Sequence, residues 1–181
     1  NLVPPKFWDE YNLKKQRYFV LTLHRPSNVD DKLKLLRITQ AILEGSADFK
    51  IIFAQHPRTA KVLENVDFGS ERILAVEPQP YFEFNYLVEN AMAVITDSGG
   101  VTEECTGMGV PCLTLRETTE RPETVIEGTN ELIGTSHPAI LTALDKVIKG
   151  NWKKGNVPAM WDGRAGNRIV QELRKILLTS D

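Results

Sequence analysis

The chain has 181 residues, 41% of them hydrophobic, and a formal net charge of −2. That length and composition suit one domain with a sizeable buried core. The charge is near neutral and no basic stripe is interleaved with aromatics, which argues against nucleic-acid binding; no apolar run approaches the length of a bilayer span.

The first dozen residues, with Pro4-Pro5, Phe7-Trp8 and Tyr11, read as a connecting segment outside the sheet, taken here as residues 1–16. The chain opens on Asn1 rather than Met, which suggests a piece of something longer, and no signal-peptide pattern opens it, which points to the cytoplasm. Tyr18 to Leu23 is rich in β-branched and aromatic residues and predicts a strand. Asp30-Asp31 can cap a helix running to about Glu44, with Leu33, Leu36, Ile42 and Leu43 largely on one side and Gly45 ending it. Phe49 to Ala54 predicts the second strand, Thr59 to Val66 a short helix, and Arg72 to Val76 the third strand. Tyr81 to Asn90 predicts a helix and Ala93 to Thr96 a buried central strand. Two glycines then form a turn into the next helix. Val110 to Leu115 is a further strand, Glu131 to Gly134 a short one, and Pro138 to Lys149 an amphipathic helix. Residues 150–163 are too rich in Gly, Pro and Asn for regular structure. A last helix from about Arg164 carries Ile169, Val170, Leu173, Ile176 and Leu177 at helical spacing, a stripe that must be buried against something.

Strands that are apolar throughout and alternate with helices imply an α/β domain, a doubly wound parallel sheet over residues 17–163, with ligands beyond the carboxyl ends of its strands. Cys105, placed near a helix start, and Cys112, in an apolar strand, read as buried thiols of a reducing compartment rather than a disulfide or a metal pair.

The most informative stretch is Ile95-Thr96-Asp97-Ser98-Gly99-Gly100-Val101-Thr102-Glu103-Glu104. A strand that passes through Ser-Gly-Gly into a helix start leaves unpaired N–H groups and a favourable dipole facing an anion. Glycine lets a phosphate approach the backbone, Ser98 adds a hydroxyl, and Glu104 lies one turn further in, where a carboxylate can accept from ribose hydroxyls. The chain has no Gly-x-Gly-x-x-Gly fingerprint and no Walker A loop, and Asp-Ser-Gly-Gly as a protease nucleophile belongs to all-β folds. The bland alternative is a tight strand-to-helix turn. Against it stands the location of the other polar residues. His24-Arg25, His56-Pro57-Arg58, Glu77-Pro78-Gln79 and Arg116 to Glu123 each follow a predicted strand, so histidines, arginines and the phosphate-type turn converge on one rim.

Taken in order, Thr22-Leu23-His24-Arg25, His56-Pro57, Glu77-Pro78-Gln79, Thr96 to Gly100 with Glu103-Glu104, and Leu115 to Glu123 resemble the UDP-N-acetylglucosamine 2-epimerase family. Gly128-Thr129-Asn130 and Asp162-Gly163-Arg164-Ala165 are similar to its later segments. The likeness runs from about Tyr18 to the end and corresponds to the second of two Rossmann-like domains, the two-domain architecture called GT-B. The resemblance implies that Ser98, Gly99 and Gly100 hold a diphosphate, Glu104 the ribose, and Gln79 and Phe84 the uracil, while Phe84 reads equally well as ordinary helix core. By the same resemblance Arg121 neutralises phosphate and His24 faces the diphosphate and sugar as the catalytic candidate, with Arg25 and His56 as allosteric or cleft residues. No cofactor and no metal are expected. The implied chemistry is elimination of UDP, reprotonation at C2 on the opposite face, and re-addition, with the acidic catalytic residues in the N-terminal domain that this chain lacks. Ser27 stands where the family usually has Glu, so a carboxylate that would orient His24 or bind an allosteric nucleotide sugar is absent there. The expected partners are UDP-N-acetylglucosamine or UDP and the missing domain. The last helix (164–181) is expected to cross to that domain and, without it, to be mobile or to pack on a neighbouring chain, as in a homodimer; the bland alternative is that it folds back onto its own sheet. A donor-binding half of a glycosyltransferase, or a UDP-binding module without chemistry, are the rival functions; transferases of this fold do not generally share the Thr118 to Glu123 block.

Overall fold

The computed structural model describes residues 1–178. Its strands are β1 (Tyr18–Thr22), β2 (Lys50–Ala54), β3 (Ile73–Val76), β4 (Ala93–Thr96), β5 (Cys112–Thr114) and β6 (Asn130–Leu132). The helices are α1 (Pro26–Val29), α2 (Lys32–Gly45), α3 (Pro57–Val62), α4 (Tyr81–Asn90), α5 (Gly99–Met108), α6 (Pro122–Ile126), α7 (His137–Ile148) and α8 (Ala165–Leu178). All strands are parallel, in the order β3-β2-β1-β4-β5-β6. This is a doubly wound α/β sheet. The chain runs outward in both directions from β1 and β4, which lie side by side, so the crevice at their carboxyl ends is the switch point where such folds bind ligands.

Alternate strand residues feed two cores. Phe19, Leu21, Phe53, Ile95 and Leu113 meet Leu35, Ile38 and Ile42 of α2 and Ile140 and Leu144 of α7. Tyr18, Val20, Ile52, Val94 and Cys112 meet Leu87 and Val88 of α4 and Cys105 of α5. Both cysteines are free and buried, and burial pushes the Cys105 thiol well above its ordinary range. The opening residues stay outside the sheet but are not loose. Leu13 is buried, and the Trp8 ring stands edge-on to Tyr18 and Tyr86 at 5.8 and 5.1 Å.

Several details differ from the sequence reading. Leu33 is 64% exposed, and the buried stripe of α2 is Leu35, Ile38, Ala41 and Ile42, the set that faces sheet and α7 together. Gly45 closes α2 from within, its missing side chain admitting Leu144, whose Cδ1 would stand 2.7 Å from a Cβ there. Two one-turn helices, α1 and α6, each begin at a proline whose fixed φ suits a first helical residue. After α7, residues 150–158 form an irregular strap. Its Trp152 indole donates to Thr129 O at 2.8 Å and its Asn156 amide to Glu127 O at 2.8 Å. No residue of α8 is buried. Among the described residues, no helix is long and apolar enough to cross a membrane.

Candidate anion and ligand site

The apolar β4 ends at Thr96, whose hydroxyl accepts the Ser98 amide at 3.0 Å and turns the chain toward α5. Ser98 is the helix N-cap, extended at φ −91° and ψ 126°. Its Oγ faces the Val101 amide at 3.5 Å, which leaves the hydroxyl proton to donate outward. Gly99 and Gly100 are not the turn itself, as the sequence had suggested. They are the first two helical residues, and neither has a positive φ. Their amides have no intrahelical acceptor, and a Cβ on Gly100 would meet nothing within 4 Å. What glycine supplies here is bare backbone at the helix's positive end, open to an anion.

Around that point stand charges from two loops and from α5 itself. The Arg116 guanidinium grips the Glu120 carboxylate with two bonds of 2.7 Å, and Arg25 approaches the same carboxylate at 3.6 Å. The Arg116 hydrogen bonds hold Glu120 down to about pKa 2. Glu120 Oε2 would lie 3.8 Å from a Cβ on Gly99, so a carboxylate already stands beside the open amides. Arg121, at the N-cap of α6, pairs through Nε with Glu103 on α5 at 2.7 Å. Glu104, one residue on, accepts the Tyr81 hydroxyl at 3.0 Å through Oε1, leaving its second oxygen for a ligand.

A second cluster lies beside it. Thr22, His24, Ala54, His56, Pro78, Gln79 and Phe84 line one cavity of about 150 Å3. Gln79 donates through Nε2 to Glu77 O at 2.8 Å and keeps its carbonyl oxygen for another donor. Phe84 both lines this cavity and packs on the second core. The His24 and His56 rings lie 5.9 Å apart.

The structure thus gathers every sequence-derived site residue along the carboxyl edge of β1, β2, β3, β4 and β5, in two adjoining groups. Ser98, Gly99, Gly100, Glu104, Arg121 and Arg25 surround the α5 start; His24, His56, Gln79 and Phe84 line the cavity. Two residues had no role in the sequence reading. Tyr81 holds Glu104. Asp97, fully buried, accepts the amides of His24 and Arg25 at 3.0 Å each and Asn28 Nδ2 at 3.1 Å, and it faces His24 Nδ1 at 3.0 Å. A signal for Asp97 was available: a carboxylate one step past an all-buried strand must find donors. Asp97 also supplies the carboxylate partner for His24 that position 27 lacks. Ser27 is exposed and offers only its carbonyl, to Lys34 Nζ at 2.7 Å. Among the described residues, no group of three His, Cys, Asp or Glu side chains is placed to hold a metal ion.

A family model described as UDP-N-acetylglucosamine 2-epimerase matches residues 3–174. The UDP-N-acetylglucosamine 2-epimerase of Methanocaldococcus jannaschii is 42% identical over 165 residues, covering 86% of this chain and 44% of the relative. Its crystal structure in complex with UDP-GlcNAc and UDP superposes with a TM-score of 0.76 at 40% identity, over 92% of this chain and 48% of that one. The S. aureus MnaA–UDP co-structure gives a TM-score of 0.78 at 26% identity, over 97% of this chain and 48% of that one. A spinosyn rhamnosyltransferase, SpnG, shares the fold with a TM-score of 0.58 at 17% identity. The chain spans about half the length of the relatives it matches.

Proposed function

The chain belongs to the UDP-N-acetylglucosamine 2-epimerase family, and from that membership we propose that it is the UDP-sugar-binding half of an enzyme interconverting UDP-N-acetylglucosamine and its C2 epimer. The observation that carries the reading is the open Gly99-Gly100 helix start, with Glu104 one turn in and arginines 25, 116 and 121 around it. That arrangement suits a nucleoside diphosphate, because amides and guanidinium groups meet the phosphates and a carboxylate meets the ribose.

In the proposed reaction the C1–O bond of the substrate breaks as the C2 proton leaves, giving UDP and an acetamido-glycal. C2 is then reprotonated on the opposite face and UDP adds back. UDP must depart as an anion and stay bound, so the preorganised donors of this half do the work of leaving-group stabilisation. Gln79 and Phe84 take the uracil, Arg121 the diphosphate, and His24 faces the diphosphate and sugar. The acidic groups for proton transfer lie in the other half of the parent, as in a GT-B enzyme. The same half covers the apolar stripe of α8, where Ile169, Val170, Leu173 and Leu177 are each about half or more exposed. Two free buried thiols suit the reducing cytoplasm.

Calorimetry tests the reading. The chain should bind UDP and discriminate it from uridine, and Glu104→Ala should cost about 1.5–3 kcal/mol, the range for hydrogen bonds to a charged group. Arg121→Lys should not restore what Arg121→Ala removes, since Lys lacks the planar fork. The chain alone should not turn over UDP-N-acetylglucosamine. Equal affinity for UDP and uridine would refute the diphosphate site.

A further inference from the structure

The two histidines of the cavity are wired in opposite senses. Asp97 accepts three N–H groups, from the His24 amide, the Arg25 amide and Asn28 Nδ2, at 3.0–3.1 Å. With both oxygens committed as acceptors, it can meet His24 Nδ1, 3.0 Å from Oδ1, only if that nitrogen carries the proton. In the neutral ring, His24 Nε2 on the other side is then an acceptor. His56 is the reverse. As N-cap of α3 its Nδ1 accepts the Arg58 amide at 3.2 Å, so that nitrogen is bare and the proton sits on Nε2.

We propose that Asp97 and the Arg58 amide are positioning groups that fix His24 and His56 in opposite tautomers, so that the cavity wall offers one acceptor and one donor side by side. The rings stand 5.9 Å apart, tilted by 42°, with Thr22, Gln79 and Phe84 around them. A matched acceptor and donor suit a hydroxyl, which gives one hydrogen bond and takes another. The ligand group at this spot is therefore a sugar-type hydroxyl rather than a second anion. The assignment of that hydroxyl to a nucleotide sugar rests on the function proposed above; the tautomers do not. Two imidazoles of like tautomer would leave a hydroxyl either two acceptors or two donors. Asp97 is what prevents that, because it is the buried partner that decides which nitrogen of His24 faces outward.

The chain has only three histidines, so their ring nitrogens can be assigned directly. Long-range 1H–15N correlation of the labelled chain, at a pH where the rings are neutral and with no nucleotide present, should show His24 protonated on Nδ1 and His56 on Nε2. The same tautomer in both rings, or His24 protonated on Nε2, overturns the proposal with no variant needed. In Asp97→Asn the side chain can present N–H to His24, and His24 should switch to the Nε2–H form while His56 keeps its own. A folded variant with His24 unswitched overturns the role of Asp97. Adding UDP-N-acetylglucosamine should move the Nε2 signals of His24 and His56 but not those of His137, which bonds Glu44 at 2.9 Å on the surface. Nucleotide binding that leaves both ring signals in place overturns the hydroxyl site. Absence of any binding, with the tautomers as stated, counts against the proposed function alone.

Discussion

Replacing Gly100 with alanine separates what the glycine pair does for the fold from what it does for a ligand. Gly100 is the second residue of α5, its φ is not positive, and a Cβ would meet no heavy atom within 4 Å. At Gly99 the same Cβ would lie 3.8 Å from Glu120 Oε2, an ordinary contact. Neither position needs glycine to fold. Alanine is favoured over glycine inside a helix by about 0.5–1 kcal/mol, so Gly100→Ala should leave stability unchanged or raise it. At about 2–4 °C per kcal/mol for a domain of this size, Tm should rise by roughly 1–4 °C. Binding should move the other way. A methyl group over the open amides keeps a phosphate oxygen from its charge-assisted bond, costing about 1.5–3 kcal/mol, or roughly ten- to 150-fold in UDP affinity. Thermal denaturation and UDP calorimetry on one preparation give both numbers. A lower Tm with unchanged UDP affinity would show that the glycines serve the chain and not an anion.

Gly155→Ala should do the opposite. Its Cβ would stand 2.3 Å from Gly128 C and 2.6 Å from Thr129 N, backbone that cannot give way, so the strap must lift and lose its bonds to Thr129 and Glu127. A loss of about 2–4 kcal/mol in urea denaturation is expected, and an unchanged midpoint would contradict that close approach. Glu120, held at about pKa 2 by Arg116, should remain ionised in a carboxyl 13C titration at pH 3.5. A depressed carboxylate contributes above its ordinary pKa and loses that contribution as pH falls through its folded value, so the pair should persist to about pH 2; 1 M salt should raise the midpoint, and a midpoint near 4.3 would remove Arg116 as the cause. Amide exchange in α8 should be fast in this chain alone and slow once the other half of the parent is supplied. Protection equal to that of β4 in a monomeric chain would defeat the view that α8 awaits a partner.

Most of the sheet was legible because β1 to β5 are apolar runs ended by polar or turn residues, and apolar runs between helices have few other uses. β6, Asn130-Glu131-Leu132, is not such a run, and the sequence reading placed it from Glu131 to Gly134. Helix faces were less legible. In α2 the stripe through Leu33 and Leu36 competes with the one through Leu35, Ile38 and Ile42, and only the position of the sheet and α7 decides between them. The glycine pair was wrongly taken as the bend, although it opens α5. Nothing local distinguishes a glycine needed for positive φ from one needed for a missing Cβ. The candidate site residues stood out because they cluster after strands. Their partners were not, because Asp97 reaches His24, and Tyr81 reaches Glu104, through contacts that exist only after folding.

The bonds that assemble the carboxyl edge join distant parts of the chain: His24 to Asp97 across 73 positions and Asn28 to Leu115 across 87. Such contacts come late, since the entropy of closing long loops is spent before they form. A chain emerging from the ribosome can pair β1 with β2 early, yet it has no edge for a ligand until β4 and β5 have inserted on the far side of β1. A ligand at this edge therefore recognises only the finished sheet. It stabilises that state by mass action and leaves every partly built form unaided, so bound nucleotide would act as a checkpoint on the topology itself.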